Sequence, residues 1–428
     1  MTQPVSASAQ PSRPGLMALD DALSQLLAHA QPLDGEDCVA TFDADGRVLA
    51  HDIVSALQVP PQDNSSMDGY ALRCADVSTA GARLRVTQRI AAGHTGVPLH
   101  SGEAARIFTG APIPVGADAV VMQEDTLVLT GADPQALPEV QVQAVPQPGQ
   151  WIRRSGEDVT RGAIVLHRGE RLHPASLGLA ASIGLAHLRV GRKPRVALFS
   201  TGDELVMPGD VAPEAMPAGA IYNSNRFFLR ALLHRLGCEV SDLGIVPDRR
   251  DTTIAALKSA ADQHDLIVTS GGVSVGDEDH VKPAVQSLGA LNLWQIGMKP
   301  GKPFAYGWVE RDVPGRAHFI GLPGNPVSSF VTFVLLVRPF ILRLQGALQI
   351  QPARITLPAH FDVTKADRRR EFLRVRRNDQ GGLDLFPNQS SGVLTSAVWG
   401  DGLLDNPAGR VIHKGDLVSY LSFADLLS

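Results

Sequence analysis

Residues 270–280 read SGGVSVGDEDH, glycines followed by three consecutive acids. Glycine lets the backbone turn sharply and approach a ligand with no Cβ in the way. The exposed N–H groups of such a loop, with a helix N-terminus behind it, suit a phosphate. The pattern is neither G-x-G-x-x-G nor the P-loop G-x-x-x-x-G-K-[ST], so neither label applies. Asp277, Glu278 and Asp279 are out of place beside an anion unless a bridging Mg²⁺ accompanies the phosphate. The structural alternative is that Asp279 only caps the helix that follows.

Other segments carry related chemistry. STGDEL puts Thr201, Asp203 and Glu204 just after an apolar run, and Asp248 follows the next one. A lone acid there is an ordinary turn former. Three strand ends with acids in one sheet exceed what composition predicts. KPGKPF sets Lys299 and Lys302 on a tight Pro–Gly turn, a spacing that aims both ammonium groups at one compact dianion. The bland reading is two solvated lysines. In GLPGNPVSS, Asn325 is a good helix cap and Pro326 a good first residue, which leaves Ser328 and free N–H groups for an anion. DNSSMDGYA from Asp63, TGAP from Thr109 and RRSGED from Arg153 to Asp158 are turn-rich polar loops.

The elements that must position these loops follow from periodicity. Residues 196–200 (VALFS) form a continuous apolar run, as in a strand buried on both faces. A helix is expected at 224–236, with Phe228, Leu229, Leu232, Leu233 and Leu236 on one face and Gly237 as its stop. A strand at 239–245, a helix at 251–263 capped by Asp251, and a strand at 265–270 complete the rhythm. Strand–helix alternation predicts a doubly wound parallel sheet, which binds ligands beyond the carboxyl ends of its strands. The polar clusters sit at those ends. Leu19, Leu23, Leu26 and Leu27 predict a helix at 17–29, and 174–183 reads as a second one. Between them, from 54 to 148, short β runs are separated by Pro and Gly. From 351 onward the alternation predicts a small β-barrel or sandwich.

The 428 residues allow two to four folding units. Hydrophobic residues make up 44%, charged residues 19%, and the net charge is −5, which argues against disorder and against a general nucleic-acid binder. Cys38, Cys74 and Cys238 are far apart and lack disulfide or zinc spacing, which fits a reducing compartment. Residues 1–15 read as a flexible tail without the apolar stretch of a signal peptide. The densest apolar run, 330–342, is interrupted by Arg338 and Pro339 and is too short to span a bilayer. A soluble cytoplasmic protein is expected.

Eight segments stand in one order: PPQDNSSMDGYA, RIFTGAPIPVGADAVVMQED, RRSGEDV, LFSTGDEL, IYNSN, VTSGGVSVGDEDH, KPGKPFAYG and GLPGNPVSS. Together they resemble the molybdopterin molybdenumtransferase family, the molybdenum-insertion enzymes of cofactor biosynthesis. The match runs from about 17 to 345 and is looser beyond. The resemblance implies a multidomain α/β plus β fold. Its parts are a discontinuous N-terminal helical/β domain (16–53 and 149–189), an inserted β module (54–148), a doubly wound α/β domain (190–347) and a C-terminal β-barrel (348–428).

It also implies a homodimer with shared active sites, and a reaction of adenylylated molybdopterin with molybdate that releases AMP. Lys299, Lys302 and Ser328 would face the molybdate. An Arg and a Ser of the C-terminal domain join them, by position Arg369 and Ser391, with Arg368, Arg370 and Ser390 as close competitors. Ser270, Gly271, Gly272 and Ser274 would meet the pyrophosphate, with Asp248 and Asp279 on its Mg²⁺ and Glu204 orienting water or metal. Asp63, Thr109, Arg153 and Asp158 would come from the partner subunit. An upstream molybdopterin adenylyltransferase and downstream molybdoenzyme maturation factors are the implied partners. Two alternatives stay open: a nucleotide-pyrophosphate hydrolase or amidase on a related α/β domain, and a non-catalytic scaffold.

Overall fold

A computed structural model describes residues 16–129, 137–247, 249–272 and 280–427. Its central sheet has six strands in the order Glu239–Val246, Arg195–Thr201, Leu266–Ser270, Arg316–Leu322, Pro303–Glu310, Gly289–Gln295. The first four are parallel, as the strand–helix rhythm requires. Pro303–Glu310 pairs antiparallel with both of its neighbours, Arg316–Leu322 and Gly289–Gln295. The connection between Pro303–Glu310 and Arg316–Leu322 is a short loop, enough for a hairpin and too short for a crossover.

Along Arg195–Thr201, Val196 and Leu198 enter one core while Ala197 and Phe199 enter another, so the VALFS run is buried on both faces. The helix Ser224–Arg235 covers the first face through Leu229, Leu232 and Leu233. It starts where the Asn223 side chain accepts from the Arg226 amide (3.3 Å) and stops before Gly237, at φ 73°. The next helix, Arg250–Gln263, starts one residue earlier than expected, with Arg249 in the cap position. Asp251 therefore lies inside the first turn and pairs with Arg249 (3.0 Å) instead of capping.

The apolar run near 330 belongs to one 19-residue helix, Pro326–Leu344. Pro339 does not break it. A proline lacks the N–H for its turn and clashes with the carbonyl four residues back. Here a π-helical turn over Phe333–Val337 widens the helix and absorbs both defects. The helix is long and apolar enough to cross a membrane, yet 89% of its most apolar window is buried inside the protein. It forms the spine of a core that also takes in Leu19 and Leu26 of the first helix (Leu19–Ala28) and Phe372, Leu403 and Phe423 near the C-terminus.

Glu36–Ala40 pairs with His187–Gly191, Ile53–Val54 with Ile164–Leu166, and Asn64–Ser65 with Ile152–Arg153, all antiparallel. The chain thus runs out and back along a two-stranded stalk that carries a separate sheet. That sheet runs Ala119–Met122, Gly69–Leu72, Glu103–Ile107, Arg83–Ile90, Glu139–Val142, Thr126–Leu129. Near the C-terminus, Leu383–Leu385, Arg370–Arg377, Gly402–Asn406, Leu417–Ser422 and Ile355–Pro358 pair in turn. A bridge from Ala359 to Leu383 joins the first to the last and closes a barrel. One short strand of the α/β half, Met298–Lys299, joins this barrel sheet by pairing with Arg370 and Glu371.

Candidate functional site

The carboxyl end of Leu266–Ser270 turns through Gly271 (φ 93°) and Gly272 (φ 67°). Both positions require glycine. A Cβ on Gly271 would lie 2.8 Å from the Thr201 carbonyl oxygen, and one on Gly272 would lie 2.5 Å from a Val281 methyl and 2.9 Å from Thr201 Oγ1. The Gly271 amide donates to the Leu322 carbonyl (3.1 Å), so the loop lies across two adjacent strand ends. Ser270 is 3% exposed, and its Oγ accepts from Asn225 Nδ2 at 2.8 Å. Glu204 is exposed, with its carboxylate folded over Gly202. Asp248, Ser274, Asp277, Glu278 and Asp279 lie outside the described residues. Among the described residues, no three of His, Cys, Asp and Glu group closely enough to hold a metal ion.

A second group gathers at the N-terminus of the long helix. Asn325 holds the cap position, but its side chain makes no capping bond. Instead the Val327 amide donates to the Ser391 carbonyl of the barrel (2.9 Å). This contact sets Ser391 one residue from Ser328, which is buried on the helix's first turn. Behind Ser391 lies a residue the sequence reading did not select. Arg374 is 1% exposed and donates to Ser396 Oγ (3.0 Å), the Phe372 carbonyl (3.1 Å) and the Ser390 carbonyl (3.3 Å). No described carboxylate pairs with it, and burial pushes its pKa down to about 10. A buried cation without a counter-charge suits an incoming anion. The available signal was a charge inside the otherwise apolar stretch FLRV.

The lysines of KPGK part company. Lys299 Nζ lies 2.9 Å from Glu371 Oε1 and 3.2 Å from Asp367 Oδ2. The Glu371 bond, followed by Asp367, raises the lysine's pKa. Arg369 reaches Asp367 through two side-chain nitrogens, both at 3.1 Å, and the Arg369 bonds hold that carboxyl well below the usual carboxylate range. Lys299 and Arg369 therefore converge on one carboxylate. Lys302 is exposed and forms no ion pair with a described residue. Of the close competitors, Arg370 is occupied by Asp405 (two bonds of 2.6 Å) and Asp20 (3.0 Å), Arg368 is exposed, and Ser390 contributes its carbonyl to Arg374.

The third group lies on the stalk. Asp63 accepts from the Ser155 amide (2.8 Å) and from Arg154 Nη1 (2.6 Å), which lower its pKa in that order. Thr109 donates through its amide and its hydroxyl to Asp68, each at 2.8 Å. Arg153 is exposed and sits opposite Asn64 in the strand register, so Arg154 is the arginine that holds Asp63. Asp158 is exposed and donates its amide to the Val59 carbonyl (3.0 Å). Trp151 adopts φ 55°, and its carbonyl accepts from both the amide and the hydroxyl of Ser66 (2.9 and 3.0 Å). Among the described residues, no hydrogen bond or ion pair links this group to the other two.

A strand-end glycine loop, a helix N-terminus in contact with a barrel and a buried arginine with no carboxylate partner among the described residues characterise an α/β protein with an attached β-barrel. Comparison with known proteins gives the class its family. Residues 17–184 match the MoeA N-terminal region (domain I and II), 197–343 a probable molybdopterin binding domain, and 356–423 the MoeA C-terminal region (domain IV). A molybdopterin molybdenumtransferase of Haemophilus influenzae is 41% identical over 378 residues, 86% of this chain and 89% of that protein. One from a Nostoc species is 37% identical over 344 residues, 79% of this chain and 76% of that protein. The crystal structure of the molybdopterin biosynthesis MoeA protein of Pyrococcus horikoshii superposes with a TM-score of 0.80 at 27% identity, covering 96% of this chain and 100% of that one. The chain belongs to the molybdopterin molybdenumtransferase family, as its ordered motifs implied.

Proposed function

We propose that this protein is a molybdopterin molybdenumtransferase. It takes adenylylated molybdopterin and molybdate, cleaves the phosphoanhydride, binds molybdenum to the dithiolene sulfurs and releases AMP. The observation that supports this most is the pairing of two anion subsites at neighbouring loops of one sheet. Ser270, Gly271 and Gly272, with Ser274, would take the pyrophosphate. Ser328, Ser391, Lys302 and the buried Arg374 would take the tetrahedral molybdate dianion, with Lys299 and Arg369 at its edge. Fixed donors aimed at charge that is already in place need little reorganisation, so these clamps would supply most of the stabilisation. The carboxylates Glu204, Asp248 and Asp279 are hard oxygen donors of the kind that hold Mg²⁺, which would neutralise phosphate charge there.

The chain reads as four units with the boundaries given above, working in the cytoplasm as a homodimer. Among the described residues, Asp63, Thr109, Arg153 and Asp158 have no hydrogen bond or ion pair to the strand-end groups of their own chain, which supports their serving the partner's site. An adenylyltransferase would supply the substrate, and maturation factors would receive the product. Two measurements test this. Incubation with adenylylated molybdopterin, molybdate and Mg²⁺ should release AMP together with molybdenum incorporation. AMP release without incorporation at any molybdate level points to a pyrophosphate hydrolase and overturns the transferase reading. Sedimentation should give a dimer. A monomer at micromolar concentration removes the shared-site argument.

A further inference from the structure

We propose that Asn225 is a positioning residue whose one buried amide holds the two anion subsites together and frees the Ser270 proton for the bound phosphate. The proposal rests on reading the Ser270–Gly272 turn as a phosphate subsite. Asn225 is 8% exposed and stands at the start of the helix Ser224–Arg235, which the buried Leu229 and Leu233 anchor to the sheet. Its Nδ2 lies 2.7 Å from the Gly324 carbonyl oxygen and 2.8 Å from Ser270 Oγ. Gly324 directly precedes Asn325, the cap of the helix that carries Ser328. One nitrogen therefore joins the phosphate loop to the oxyanion helix.

The direction of both bonds follows from the partners. A carbonyl oxygen only accepts, so the group facing Gly324 is the NH₂ and not the amide oxygen. The second proton of the same nitrogen goes to Ser270 Oγ, which accepts it. The Ser270 hydroxyl proton is then left to donate, and a hydroxyl that accepts one bond is a stronger donor in another. A separate observation points to a ligand on the same face. Ser200, in register with Ser270, and Asn223 are both almost fully buried, yet Ser200 Oγ and Asn223 Nδ2 have no hydrogen-bond partner among the described residues. Buried polar atoms without partners are costly and call for a ligand or water to complete them.

The test uses the full-length protein and ADP with Mg²⁺ as the probe of a diphosphate, titrated calorimetrically. Asn225→Leu removes both bonds. Asn225→Asp keeps the size but turns the donor into an acceptor that captures the Ser270 proton. Each should weaken ADP binding about tenfold, the loss of one charge-assisted hydrogen bond. Ser270→Ala should cost a similar factor, and Asn225→Leu combined with Ser270→Ala should bind no more weakly than Ser270→Ala alone. A merely structural role gives additive losses. Asn225→Asp serves where the leucine variant does not fold. Additive losses, or unchanged affinity in folded Asn225→Asp, overturn the proposal. A wild-type protein that binds ADP but incorporates no molybdenum overturns the transferase reading, and the cycle on ADP affinity still decides the role of Asn225. A wild-type protein that does not bind ADP overturns both the phosphate subsite and the brace.

Discussion

Arg374→Met should separate stability from anion binding. The wild-type guanidinium is buried, charged at pH 7 and without a carboxylate partner among the described residues. Burial lowers its pKa from the ordinary arginine value to about 10. That drop corresponds to about 3 kcal/mol by which the charged form opposes folding. The sign follows from linkage. The unfolded chain holds this proton more tightly, so the penalty is complete below about pH 10 and fades as the pH rises above it. Its three hydrogen bonds to neutral acceptors return about 1 kcal/mol each, so the two contributions nearly cancel. Methionine fills most of the volume without charge. The Ser396 hydroxyl keeps its bond to the Val393 carbonyl (2.6 Å). Scanning calorimetry should therefore show a melting shift of no more than about 4 °C, the equivalent of about 1–2 kcal/mol. Equilibrium dialysis should show molybdate affinity falling about tenfold or more, and Arg374→Lys should fall between the two proteins. A large loss of stability with unchanged molybdate affinity refutes the reasoning and makes Arg374 a structural strut.

Other expectations follow from the same geometry. Lys299→Met leaves Glu371, 5% exposed, without its cation, at a cost of about 2–3 kcal/mol in calorimetric stability. Adding Glu371→Gln should restore most of that loss. His318 accepts from or donates to the Tyr306 hydroxyl (3.0 Å), and burial pushes its pKa down to about 4. Its contribution to stability is complete above about pH 6.5 and is lost as the pH falls toward 4, by about 3 kcal/mol in all. Melting curves of wild type and His318→Phe should diverge only in that window, and parallel curves argue against it. Gly272→Ala forces a Cβ to within 2.5 Å of Val281 at a backbone angle that disfavours side chains, so AMP release should fall at least about tenfold while melting moves only a few degrees. Wild-type turnover in this variant contradicts the glycine argument.

Much of the architecture was legible in local pattern, because burial and hydrogen bonding leave a period in the sequence. VALFS had to be a strand covered on both faces, and Leu229 with its neighbours had to face a sheet. Glycines at 271 and 272 marked a backbone that no other residue tolerates. Pattern failed where a defect was repaired nearby. Pro339 looked like a helix breaker, since nothing local announces the π-helical turn at Phe333–Val337 that accommodates it. Asp251 looked like a cap, and a one-residue shift made it a first-turn acid.

The site divides in the same way. Residue types and spacing along the chain marked the loops at 270–272, 299–302 and 325–328 as candidates for anion binding and the acids at 203–204 as a further strand-end cluster. Only the tertiary structure decided which of them meet. It took Lys299 to Glu371 and Asp367, brought Ser391 to the amide of Val327, and buried Arg374 among neutral acceptors, with no carboxylate paired to it among the described residues. It also joined Ser270 to Gly324 through Asn225. A side chain's periodicity reports its own burial. Its partner is set by contacts between segments tens to hundreds of residues apart, which no local period encodes.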